Sequence, residues 1–125
     1  MSAPEPITLV EILSVHGDFD SCAELARAAV ARLERVGVRS LRSVNFFTRP
    51  DSNEIGAVLE FADGRELIAH MNQISGWDEF KRLAERIKLK EMRVHGRIPL
   101  EAEAWMRQFG DDITHYGSFV AGFHR

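Results

Sequence analysis

The chain switches between two hydrophobic periods, and the switches mark its elements. Ile7–Val15 is a run of aliphatic and β-branched residues that predicts a strand. Ile7, Leu9, Leu13 and Val15 share one face, and Val10 and Ile12 lie on the other, so both faces call for cover. Leu25, Ala29, Leu33 and Val36 then recur at helical spacing, with Arg27, Arg32, Glu34 and Arg35 mostly off the stripe. Asp18 to Asp20 read as a turn, Ser21 and Glu24 as a capping box, and Gly37 as the C-terminal stop. Alternation returns over residues 40–49 and 55–61, separated by the turn cluster Pro50, Asp51, Ser52 and Asn53, which predicts an antiparallel hairpin.

Asp63 is placed to cap a second helix whose apolar seam is Leu67, Met71 and Ile74. Ser75 and Gly76 interrupt it, and Trp77, Phe80, Leu83 and Ile87 resume the helical spacing. Residues 92–98 alternate as a fourth strand, Pro99 opens a short helix over 100–109 that Gly110 ends, and 113–123 read as a terminal strand bent at its glycines. The order β-α-β-β-α-β, with an added helix and strand, predicts an α+β, ferredoxin-like sheet covered by helices on one side. Residues 1–6 read as a flexible leader, 7–125 as a single domain, and 99–125 as its C-terminal extension. With apolar residues on both sheet faces and helices for one, the second face predicts a homodimer.

Composition narrows the function classes. The 125 residues carry a formal net charge of −3, without the basic footprint of a nucleic-acid binder. The local basic run at Lys81, Arg82, Arg86, Lys88 and Lys90 is interleaved with Glu79, Glu85 and Glu91 and reads as a solvated face. Cys22 is the sole cysteine, so no intrachain disulfide or thiolate cluster forms, which suits a cytoplasmic protein. No apolar run approaches the roughly 20 residues needed to span a bilayer, and no membrane partner is expected. Phosphate-binding glycine loops and a nucleophile elbow are missing from the sequence. His16 and His95 with Glu11 or Asp18 would be the best metal set. No His pair has ligand spacing, however, and no metal is expected.

His70 borders the apolar seam of the second helix, with Trp77 just past the break. Each has two readings. His70 is a satisfied helix-edge histidine or a group lining a pocket; Trp77 is a core anchor or a ligand contact. Asn45 and Arg49 are likewise solvent-facing strand residues or pocket polar groups, and His115, Tyr116 and His124 read as interface or exposed positions.

The element order over residues 7–98, the sequence Ala69-His70 followed by Ser75 and then Trp77 or Phe80, and the tail Val120-Ala121-Gly122-Phe123 carry a resemblance. The chain resembles the dimeric α/β-barrel proteins, and within them the antibiotic biosynthesis monooxygenase-like family. That resemblance implies a cofactor-free oxygenase acting on a small aromatic or quinol-like molecule, in which the deprotonated substrate itself activates O₂. It implies His70 as base, Trp77, Phe46 and Phe47 as ring contacts, and Asn45 or Arg49 as stabiliser of an oxyanion. The haem-degrading relatives' pattern does not carry over, because Ile87 and not a histidine stands ten positions after Trp77. A non-catalytic ligand-binding or structural homodimer of the same fold is the alternative.

Overall fold

The computed structural model describes residues 6–36, 40–123 and 125. The proposed leader other than Pro6, the Gly37 cap and His124 lie outside the described residues. The elements run β1 (Ile7–Val15), α1 (Phe19–Val36), β2 (Ser43–Arg49), a 3-10 turn (Pro50–Ser52), β3 (Glu54–Phe61), α2 (Gly64–Ile74), α3 (Asp78–Arg86), β4 (Ile87–His95), α4 (Leu100–Arg107) and β5 (Ile113–Tyr116). The sheet order is β2-β3-β1-β4-β5. Neighbouring strands among β2, β3, β1 and β4 pair antiparallel, and β5 joins β4 in parallel. This is the ferredoxin-like arrangement read from the sequence, extended by one helix and one strand.

Burial divides the sheet into two faces. Ile7, Leu9, Leu13 and Val15 of β1 are buried with Ile55, Ala57 and Phe61 of β3 and Leu89, Met92 and Val94 of β4. This row packs under the helices, where Leu67, Met71 and Ile74 of α2 are buried as their spacing required. Helix α1 packs on α3, and α2 on α4. Asp63 caps α2 by accepting a hydrogen bond from the Glu66 amide at 3.0 Å.

Five local expectations change, at the starts of α1, β2 and β4 and at the ends of β4 and β5. Helix α1 starts at Phe19 because the cap is Asp18, not Ser21: the Asp18 carboxylate accepts from the free Ser21 amide in the first turn at 3.2 Å. Residues 40–42 precede β2, although the Arg42 amide still donates to Glu60. Strand β4 begins at Ile87, which takes an extended conformation right after α3, so Ile87 opens a strand instead of ending a helix. A register shift opposite Ile12 and Leu13 leaves Lys90 as the extra residue. That bulge is why Leu89 and Met92, an odd number of residues apart, both point inward.

The same strand ends at His95, because Gly96 turns at a φ of 109° and a side chain there would come within 2.7 Å of the Pro6 carbonyl. Strand β5 stops at Tyr116, and Phe119, Val120 and Phe123 beyond it are exposed. No helix among the described residues is long and apolar enough to cross a membrane.

Candidate functional site

Between the helices and the inner face of the sheet lies a cavity of about 240 Å³. Its sheet side is formed by Leu9, Glu11 and Leu13 of β1, Val44 and Phe46 of β2, Leu59 and Phe61 of β3, and the β4 residues around Leu89 and Met92. Its helical side is formed by Leu33 of α1, His70 and Met71 of α2, Trp77 at the head of α3, Phe80 and Leu83 of α3, and Trp105 and Phe109 in and after α4. The C-terminal extension thus builds one end of the cavity. Phe80 stacks on Trp105 at 5.9 Å between centroids, and Phe109 meets Trp105 edge-on at 4.9 Å. Gly110 closes this end tightly, since a β-carbon there would lie 2.6 Å from the Leu89 carbonyl.

Apart from the exposed Lys88 at its edge, two ionisable groups line this apolar space, Glu11 and His70. His70 is 5% exposed, its ring centroid lies 5.3 Å from that of Phe61, and its Nδ1 has no hydrogen-bond partner among the described residues. Burial pushes its pKa down from 6.5 to about 4, so the ring is neutral at neutral pH. Glu11 sits mid-strand in the inward row. It keeps some accessible surface, as a residue lining a cavity does, and no ion pair among the described residues compensates its carboxyl. Desolvation pushes its pKa up from 4.5 to about 7. Burial alone moves the two groups in opposite directions, because it disfavours the anion of one and the cation of the other.

Trp77 is held from behind. The Arg32 guanidinium lies 4.3 Å from the centre of its ring and donates to the Glu79 carboxylate at 2.7 Å. One α1 side chain therefore fastens both the indole and the first turn of α3.

The structure brings His70 and Trp77 to one cavity together with Phe46. It does not bring Asn45, Phe47 or Arg49 there. All three occupy the opposite parity of β2 and are exposed on the outer face, and Arg49 approaches Glu54 at 3.7 Å. The groups weighed as a metal set are also separated. The His16 amide binds the Arg86 carbonyl at one end of β1, while His95 lies opposite Thr8 at the other end, stacked edge-on with Tyr116. Cys22 is buried, and burial pushes its thiol pKa up against the opposing pull of Arg86, which is unlike a nucleophile. The sequence presents Glu11 only as a candidate metal ligand. The available signal was a lone carboxylate in the otherwise apolar inward row of β1.

Fold and cavity define an α+β protein of the ferredoxin-like class with a pocket between helices and sheet. Comparison with solved structures places it beside MupZ from Pseudomonas fluorescens, at a TM-score of 0.68 and 14% identity over 96% of this chain and 94% of that one. It is also similar to SnoaB, a cofactor-independent oxygenase from Streptomyces nogalater, at a TM-score of 0.62 and 14% identity over 76% of this chain and 95% of that one. A conserved protein from Methanosarcina mazei Go1 aligns at a TM-score of 0.52 and 17% identity over 71% and 87% of the two chains. At such identities the shared property is the fold. No family model and no curated protein matches the sequence.

Proposed function

We propose that this protein is a cofactor-independent monooxygenase of the antibiotic biosynthesis monooxygenase type, acting on a small aromatic or quinol-like molecule held in the cavity. The observation that carries this reading is an apolar cavity of about 240 Å³ into which an uncompensated carboxyl and a neutral imidazole are built. That volume exceeds the ~150 Å³ known to admit benzene. The likeness in fold to a cofactor-independent oxygenase supports the same reading.

The chemistry needs no bound redox group. A quinol and O₂ give a hydroxyquinone and water, with the electron-rich ring as reductant. The protein's tasks are to bind the ring, assist loss of its proton and keep the reaction out of bulk water. Trp77 and Phe46 contact the ring, and His70 offers it a neutral nitrogen. The outer sheet face, with Val10, Ile12 and Val58 half-buried and Phe47 64% exposed, is where a second copy docks.

Oxygen uptake with a panel of quinols tests the activity. Wild type should consume O₂ with at least one of them, and His70→Ala should slow it. Absence of uptake with every quinol that binds would favour a binding protein over an enzyme. The low proton affinity of His70 is the observation that favours that second reading, because a ring with a pKa of about 4 is a weak base. Sedimentation at micromolar concentration tests the homodimer, and a monomer there would defeat it.

A further inference from the structure

Resting on the monooxygenase reading of this cavity, we propose that Glu11 is the catalytic base, its carboxylate taking the hydroxyl proton of a phenol or quinol bound against the inner face of the sheet.

The placement of Glu11 carries this. It stands mid-way along β1, with β3 on one side and β4 on the other, in a row whose other members are apolar. Its cross-strand neighbours are Ala57 and Met92, neither of which can donate a hydrogen bond or balance a charge. No hydrogen bond or ion pair among the described residues satisfies its carboxyl. Of the helices that close the cavity, α1 contributes aliphatic side chains, α3 aromatic and aliphatic ones, and α2 the titratable His70. Gln108 follows α4 and is neutral, and Lys88 of β4 belongs to the outward row opposite Ser14.

An unpaired carboxyl in apolar surroundings is costly to keep for structural reasons alone. His70 repeats the pattern in the same cavity, buried and with an unpartnered ring nitrogen. An ionised carboxylate and a neutral imidazole nitrogen both accept hydrogen bonds, so the site calls for a ligand rich in donors. A dihydroxylated aromatic supplies donors for both on an otherwise apolar body.

In the step itself the phenolic O–H bond breaks and the proton passes to a Glu11 oxygen, forming the carboxylic acid. The electron pair stays on the substrate oxygen, and the resulting phenolate is the species that reduces O₂. Glu11 returns its proton to water on turnover. A carboxyl whose pKa has risen to about 7 holds that proton far better than an ordinary one, and better than His70.

The experiment combines oxygen uptake and binding over pH 5 to 9. With a quinol that wild type oxidises, the rate should rise through a limb near pH 7, and Glu11→Gln should lower it by about 100-fold or more and abolish the limb. In parallel, binding of 1-naphthol is compared with binding of 1-methoxynaphthalene, which lacks the donor. Wild type should prefer the naphthol increasingly as pH rises through 7, and Glu11→Gln should lose that preference while still binding the ether.

Uptake by Glu11→Gln at the wild-type rate with the limb intact would overturn the assignment. If no quinol is oxidised yet the Glu11-dependent preference holds, the oxygenase reading fails while Glu11 stands as the hydroxyl acceptor. If Glu11→Gln does not fold, the wild-type comparison decides: equal affinity for naphthol and ether at every pH would defeat the proposal.

Discussion

The two faces of the sheet are built from adjacent residues of the same strands, yet they differ in kind. On the inner face, Phe46 lines the cavity; one residue on, Phe47 stands 64% exposed. Along β1, Leu9, Glu11 and Leu13 face the cavity, while Val10 and Ile12 face outward, away from the described helices. Charge is treated oppositely on the two sides. Outside, Glu54 pairs with Lys90 at 2.7 Å and with Arg49 at 3.7 Å, and water screens what is left over. Inside, Glu11 and the His70 Nδ1 have no partner among the described residues, and desolvation pushes both groups toward their neutral forms. One residue of register therefore separates a solvated side chain from one whose proton affinity the protein resets.

Truncation of matched aromatics should separate the faces most strongly. Phe61, 1% exposed under α2, should cost roughly 3–5 kcal/mol when replaced by Ala. Phe47→Ala should change the stability of the isolated chain by no more than about 0.5 kcal/mol and act instead on self-association. Urea unfolding with sedimentation reads both effects, and equal destabilisation by the two variants would break the contrast.

The buried pair gives a second test, through pH. Folded Glu11 keeps its proton up to about 7 while the unfolded group releases it near 4.5, so stability falls as pH rises across that window. Folded His70 gains a proton only near 4 while the unfolded ring gains one near 6.5, so stability is lost as pH falls across that window. The total change across each window is on the order of 3 kcal/mol, and in wild type the two oppose one another wherever the windows overlap. Glu11→Gln should therefore make the protein more acid-sensitive between pH 6.5 and 4, and His70→Leu should make it lose stability as pH rises from 4.5 to 7. Stability curves parallel to wild type in both variants would show that neither group is desolvated.

A smaller effect tests how the cavity wall is held. Arg32→Met keeps the aliphatic stem but removes the stacked guanidinium and its bond to Glu79. The pair is about one-third exposed, so the loss should be only about 1 kcal/mol. Tryptophan emission should shift as the indole loosens. Unchanged emission and unchanged ligand affinity would mean that Trp77 is held by the cavity side alone.

Much of this architecture is legible in the sequence. Strand β1, the Asp63 cap, the break at Ser75 and Gly76 and the element order all follow from local rules of spacing and capping. The start of β4 did not follow, because the bulge at Lys90 breaks the alternation that announces a strand, and Leu89 then sits out of phase with Met92. The site was legible to a lesser degree. His70 and Trp77 stand out beside a helical stripe, and the structure places both at the cavity. Asn45, Phe47 and Arg49 drew notice by residue type, but β2 carries aromatic residues at both parities, and only packing shows which parity is covered. Glu11 was visible as a residue without being visible as a base, since nothing local to β1 predicts how many apolar side chains surround one carboxyl.

By itself, then, the sequence determined the elements, their order and the inward side of α2, because backbone hydrogen bonding and hydrophobic period act over a few neighbouring residues. Tertiary structure decided which strand face meets the cavity, how α4 and the residues after it close one end, and why Glu11 and His70 have exchanged their ordinary order of proton affinity. Those outcomes depend on solvent exclusion by residues far apart in the chain.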